Sequence, residues 1–296
     1  MSESISTWTF EAVGGVFGFT EGPVWDGRGV LFVDMRASRI LRYEPVSGEV
    51  ALFAEQTNEA NGLTVDAAGR IYACESGAGR IVRYDPDGSR IVVAEAYEGQ
   101  RLNSPNDIAL DRQGRIWFTD PRYGERETMA LTHDSVYRLD PDGSGSYAIT
   151  RVTFDTTRPN GLAFSPDEQT LYVAESPPAP EGVRQLRAYA VRADGSLGDA
   201  RVLHDFGQHR GIDGMRVDRK GYIVAAAGWA ESGPGPRIVV FASDGSILEE
   251  HPVPAEPTNC CFGDADLGTL YITAKDGRLY KARTNREGQP MIGVEP

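Results

Sequence analysis

"NSPNDIALDRQGRIWFTDP", residues 103–121, holds two short apolar alternations, Ile108 with Leu110 and Ile116 with Phe118, separated by an Asp-x-x-Gly turn. The spacing predicts a β-hairpin, because strand side chains alternate between faces and turn residues punctuate the two runs. Asn106 stands just ahead of the first run. The pattern recurs as EGPVWD from Glu21, NGLTVD from Asn61, NGLAFS from Asn160, DGMRVD from Asp213 and, more loosely, NCCFGD from Asn259. Successive starts lie 40, 45, 54, 53 and 46 residues apart. Each copy leads through a turn into a second run: VLFVD from Val30, IYACE from Ile71, IWFTD from Ile116, LYVAE from Leu171, IVAAA from Ile223 and LYITA from Leu270. A third run follows as RILRYEP from Arg39, RIVRYDPDG from Arg80 and SVYRLDPDG from Ser135.

Four-stranded units at this period, with no helix-period segment between them, predict an all-β fold, a six-bladed β-propeller. The 34 Gly and 18 Pro supply its turns. Only three strands remain after the sixth copy, so TWTFEAV, residues 7–13, is expected to complete the last blade from the N-terminal side. That strand closes the ring and covers an open sheet edge. Residues 1–296 then read as a single propeller domain. A β-sandwich is the alternative, but it does not explain one polar position kept in every repeat.

The first strand of a propeller blade is innermost, so the residue ahead of it sits at one mouth of the axial channel. Glu21, Asn61, Asn106, Asn160, Asp213 and Asn259 are expected to converge there. Asn and Asp suit turns in any case. Six oxygen-bearing side chains in register, with no Lys, Arg or apolar residue among them, argue for more. Oxygen donors favour a hard cation such as Ca²⁺, which takes about six to eight of them, and two carboxylates balance a divalent charge. Such a centre polarises a carbonyl or phosphoryl oxygen.

The loops from second to third strand return to this mouth, and they are the long ones: residues 121–134, 176–185 and 228–237. Substrate selection is expected on that face. Asp34, Glu75, Asp120 and Glu175 end second strands there and read either as pocket lining and ligand support or as caps of turn amides. Tyr123 and Trp229 read as substrate contacts or as loop packing, and His133 as a proton shuttle or a solvated side chain. His204, His209 and His251 have no metal-like spacing.

A formal charge of −13 argues against nucleic acid or an anionic membrane as partner, since both attract basic surfaces. Cys74, Cys260 and Cys261 are too few and too oddly placed for a disulfide framework and are expected as reduced thiols. MSESISTWTF lacks the basic start and apolar run of a secretory signal, and no apolar stretch approaches the roughly 18 residues of a membrane span. The expectation is a cytoplasmic protein acting on small molecules, as a monomer or small homo-oligomer.

GQRLNSPNDIALDRQGRIWFTDPRYG, RPNGLAFSPDEQTLYVAES, GIDGMRVDRKG and TNCCFGDADLGTLYITA resemble the gluconolactonase, senescence marker protein and luciferin-regenerating enzyme family, bacterial gluconolactonases above all. The likeness runs from Phe19 to about residue 284. It implies one divalent metal, often calcium, with Mn²⁺, Zn²⁺ and Fe²⁺ as alternatives, held at the positions matching Glu21, Asn106, Asn160 and Asp213. It implies hydrolysis of a sugar lactone to its aldonate, with the lactone carbonyl on the metal and Asp213 as general base. Attack by a metal-bound hydroxide, or by Asp213 itself as in phosphofluoridate-hydrolysing relatives, stays open. Asn61, Asn106, Asp120, Tyr123 and Asn259 are the expected substrate-side residues. Ser104 departs from some animal relatives, which carry a substrate-contacting Arg two residues before the ligand Asn. Two other readings compete: a phosphotriesterase or promiscuous esterase on the same centre, and a propeller that binds partners without catalysis.

Overall fold

The computed structural model describes residues 7–178 and 182–290. Part of the expected 176–185 loop, residues 179–181, lies outside the described residues, as do both chain ends. Six four-stranded antiparallel sheets follow one another around an axis as the blades of a propeller, and the described residues contain no helix. Blade one comprises Thr20–Trp25, Val30–Asp34, Arg39–Tyr43 and Val50–Glu55; blade two, Ala60–Val65, Ile71–Glu75, Arg80–Tyr84 and Arg90–Ala94. Blade three comprises Ile108–Leu110, Ile116–Asp120, Ser135–Pro141 and Tyr147–Arg151; blade four, Pro159–Phe164, Thr170–Glu175, Gln185–Ala190 and Arg201–Asp205. Blade five comprises Ile212–Val217, Ile223–Ala227, Arg237–Phe241 and Ile247–Pro252. A small hairpin, Ala96–Tyr97 with Gln100–Arg101, stands between blades two and three and was not expected from the repeats.

Blade six takes Pro257–Gly263, Thr269–Ala274 and Leu279–Arg283 from the end of the chain and its outer strand, Glu11–Val13, from the beginning. Glu11 pairs with Lys281 and Val13 with Leu279. This strand is shorter than the expected 7–13 because the segment before it docks elsewhere. Trp8 is buried and stacks on His251 of blade five, with ring centroids 3.8 Å apart, and its backbone N–H donates to His251 Nδ1. The indole N–H donates to Asn285 Oδ1 at 3.0 Å. Removing a side chain so buried costs about 3–5 kcal/mol, which makes Trp8 an anchor for the closing strand. Nearer the axis, Thr20 Oγ1 donates to the carbonyls of Ala274 and Arg278, and Thr258 Oγ1 donates to Thr20 O, so blades one and six are joined directly.

Every pair of neighbouring blades encloses a hydrophobic cluster. Second strands lie inside these sandwiches with both faces covered: Val30–Asp34, Ile71–Glu75, Ile116–Asp120 and Ile223–Ala227 are buried at every position. Their sequences are accordingly apolar runs rather than alternations. Outer strands such as Val50–Glu55 and Arg201–Asp205 contain no buried residue.

Five of the six inner strands carry one irregularity at the repeat's polar position, whereas that of blade three pairs with its neighbour without a shift. Register shifts fall between Glu21 and Val24, Ala60 and Leu63, Pro159 and Leu162, Ile212 and Met215, and Pro257 and Asn259. A bulge of this kind re-aims the side chain beside it. The glycine that follows the polar residue is required by close approach: a Cβ at Gly22, whose φ is +52°, would lie 2.0 Å from Asn61 O, and one at Gly161 would lie 2.5 Å from Asp213 O.

Candidate functional site

Convergence of the inner strands brings the six repeat residues to one end of the axis. Five of them lie within their strands, one or two residues past the start, rather than ahead of them as expected; Asn106 alone precedes its strand. Backbone contacts link the set around the ring, as where Gly62 N donates to Asn106 O at 2.7 Å. Glu21, Asn61, Asn160 and Asn259 are buried, whereas Asn106 and Asp213 keep partial exposure.

The chemistry concentrates on Glu21 and Asp213. Burial, together with the charges of Asp213 and Asp107, pushes the Glu21 carboxyl well above the usual range, while Gly22 N–H and Arg210 act in the opposite sense. Oε2 of Glu21 accepts Gly22 N at 3.0 Å. Asp213 pairs with Arg210, whose Nη1 also donates to Gly228 O at 2.7 Å and Pro257 O at 3.1 Å. Asn160 Nδ2 donates to the Tyr123 hydroxyl at 2.8 Å, which directs the amide oxygen the other way. The Tyr123 hydroxyl donates to Ser176 O at 3.2 Å, the residue as a whole is 37% exposed, and Arg158 stacks over its ring at 5.6 Å. Burial and the charge of Asp213 raise the pKa of this phenol well above normal, so it stays protonated.

Sequence reasoning missed three charged residues here. Asp107 occupies the place where four other repeats carry Gly, and its carboxylate enters the channel: it accepts Ile108 N at 2.9 Å and Leu162 N at 3.4 Å and lies 3.7 Å from Arg216 Nη1. Arg216 in turn donates to Met215 O at 2.8 Å and Pro23 O at 3.4 Å, bridging blades five and one. Arg210 and Arg216 stand three residues either side of Asp213, the first ahead of the inner strand and the second within it. The break in the Asn-Gly pattern at Asp107 was the visible signal.

Asn259 differs from the other amides. Its Oδ1 accepts Cys260 N at 2.8 Å and its side chain hydrogen-bonds Asp107, so both ends are engaged within the protein. Asp120 is fully buried, and its oxygens accept the backbone N–H groups of Asn103 and Ser104, each at 2.8 Å. It clasps the segment that delivers Asn106. Burial raises its pKa to about 7 against those two amides. Asp34 likewise accepts Gly18 N at 3.1 Å, and Glu175 accepts Thr157 N and Arg158 N, each at 3.0 Å. Of the two readings open for the strand-end acids, the geometry gives amide capping for these three; Glu75 instead accepts Asn58 Nδ2 at 2.9 Å and pairs with Arg80 and Arg90. His133 lies beyond this cluster, bonded to the Tyr137 hydroxyl at 2.9 Å. Trp229 donates its indole N–H to Ser232 Oγ at 2.6 Å within its own loop.

Among the described residues, no three His, Cys, Asp or Glu side chains stand together as a metal-binding group. A cation held here would therefore need the amide oxygens as well. A separate cavity of about 670 Å³ opens between blades three and four, lined by Arg138, Phe154, Tyr189 and Asp194 among others, and includes no residue of the ring.

The chain belongs to the family described as SMP-30/Gluconolactonase/LRE-like region, whose model matches residues 19–276. It is 33% identical to a gluconolactonase of Zymomonas mobilis over 91% of this chain and 80% of that protein. With a 6-deoxy-6-sulfogluconolactonase of Pseudomonas putida it shares 30% identity over 92% of this chain and 86% of that protein. A solved gluconolactonase of Xanthomonas campestris aligns with a TM-score of 0.80 at 36% identity, covering 93% of this chain and 89% of the other.

Proposed function

We propose that the protein is a divalent-cation-dependent lactonase that opens a sugar lactone to its aldonate at the ring mouth of the propeller. The observation that carries the reading is the meeting of two carboxylates, Glu21 from blade one and Asp213 from blade five, close enough for Asp213 to raise the pKa of Glu21. The family relatives are named as lactonases, which supports the substrate class. All the donors are oxygens, and a buried carboxyl held up by its neighbours is what a hard cation relieves, so the residues fit such an ion. We assign Glu21, Asn106, Asn160 and Asp213 to hold it, with calcium as first candidate ahead of Mn²⁺, Zn²⁺ and Fe²⁺. When bound, the ion supplies Lewis-acid polarisation of the lactone carbonyl.

The chain's own residues supply the rest. Asp213, kept in orientation by Arg210, takes the proton of the attacking water. Tyr123 offers a partly exposed ring and a protonated hydroxyl to the sugar, and Asn61 orients a substrate hydroxyl or the water. Asn259 acts from below, fixing Asp107 under the ring. Because the four assigned ligands come from four blades, the acting unit is the whole propeller as one domain. Three buried free thiols suit a cytoplasmic location. A panel of aldonolactones, assayed with chelated and reconstituted protein, tests the reading. Hydrolysis is expected only after reconstitution; turnover by verified ion-free protein, or none on any lactone, would overturn it.

A further inference from the structure

We propose that Arg210 is the resident counter-charge of the ring, holding Asp213 when no ion is bound and thereby setting how tightly a divalent cation is taken. The inference rests on the ion-binding reading above.

Five charged side chains meet around the axis: Glu21, Asp107 and Asp213 against Arg210 and Arg216. Counted formally, three acids less two arginines leave −1, not the −2 of a bare carboxylate pair. Arg216 faces Asp107 and the carbonyls of Met215 and Pro23, deeper in the channel. Arg210 is the cation beside the two assigned carboxylate ligands.

Arg210 is also fixed in place. Its Nη1 bonds Gly228 O, just after the second strand of blade five, and Pro257 O, at the start of the inner strand of blade six. Neither contact involves Asp213, so the guanidinium does not swing away when Asp213 turns to another partner. The side chains of Arg210 and Asp213 are only 13% and 15% exposed, and Coulomb interactions weaken little where water is scarce.

Two consequences follow. A cation entering the ring must share Asp213 with an immobile positive charge, which weakens its binding relative to the same donors alone. The ion-free ring, in turn, does not carry two uncompensated ligand carboxylates, so the fold survives without the ion.

Calorimetric titration of Ca²⁺ into chelator-treated full-length wild type, Arg210→Gln and Arg210→Lys tests this, with melting temperatures measured with and without the ion. Gln loses the charge and keeps a polar side chain, though a shorter one; Lys keeps the charge. We expect Arg210→Gln to bind at least about tenfold tighter, to melt lower than wild type when ion-free, and to gain more from added ion. Arg210→Lys should stay within about threefold of wild type. A folded Arg210→Gln protein with unchanged or weaker affinity would overturn the proposal while leaving the ring as an ion site. An Arg210→Gln chain that folds only when Ca²⁺ is present would support it. Absence of binding in all three proteins would instead remove the ion-binding reading, and the proposal with it.

Discussion

The two faces of the propeller use the same acidic residues to opposite ends. On the ring face, burial pushes the carboxyls of Glu21, Asp107, Asp120 and Glu175 upward. On the turn face, Asp87, Asp194 and Asp244 are held below their ordinary range by the backbone N–H groups of Ser89, Ser196 and Ser246, and Asp142 by the hydroxyl of Ser144. One hairpin carries an acid at each end. At its turn, Asp111 accepts Gln113 N, Arg115 N and the Trp117 indole N–H; at its ring end, Asp120 lies in the interior. Side-chain type therefore says little about role. An acid with water or several donors closes a turn, whereas an acid buried near other acids leaves negative charge that a cation can satisfy.

The comparison breaks most easily at Asp213. Asp213→Asn keeps the size and one carbonyl oxygen but cannot accept a proton at neutral pH. Saturated with ion, it should lose at least about a hundredfold in kcat on its best lactone. Full activity in that protein would demote Asp213 to a structural ligand.

Glu21→Ala should lose the ion on dialysis, while Asn61→Ala and Asn259→Ala keep it, as read by elemental analysis. Loss from Asn61→Ala would reassign the ligands. Ion removal from wild type should lower the melting temperature by linkage, since the proposed ligands tie four blades together. An unchanged melting temperature after verified ion loss would count against that ligand set.

The turn face gives the contrasting result. Asp111→Ala strips four N–H donors, Gln113 N, Arg115 N, Arg115 Nε and the Trp117 indole, of their acceptor and should cost about 2 kcal/mol in urea unfolding, yet leave kcat and ion content at wild-type values. A changed ion content would show that the two faces are not independent.

The smallest effect is a pH slope. Asp120 is held at about 7 against 3.8 for the free group. Between these values the folded protein binds a proton that the unfolded chain does not, so its share of stability falls as pH rises from about 4 to about 7. The turn-face acids run the other way, their stabilisation being present above about 4 and lost as pH drops through their folded values. In ion-free protein, Asp120→Asn should flatten the slope across that window by up to about 1 kcal/mol per pH unit. An identical slope would mean that Asp120 titrates normally.

Much of this was legible in the chain itself. The six blades, their order and the N-terminal closing strand are written as local patterns, because each hairpin needs only its own alternation and turn residues. The second strands declared themselves by runs such as IWFTD, apolar throughout because both faces are covered. The ring positions were legible too, since a residue kept in register across repeats must fall at equivalent places in each blade. Tertiary structure decided the rest. Trp8 docks on His251, 243 residues away in sequence, and shortens the closing strand. Arg210, ahead of the inner strand of blade five, and Arg216, within it, flank the site through contacts with Gly228, Pro257, Met215 and Pro23, although neither follows the repeat. Whether Asp120 faces the cleft or the loop of Asn103 and Ser104 depends on which donors the folded backbone brings to it. Periodicity encodes which face of its own strand a residue occupies, but a charge takes its role from partners on other blades, and those distances exist only once the ring is closed.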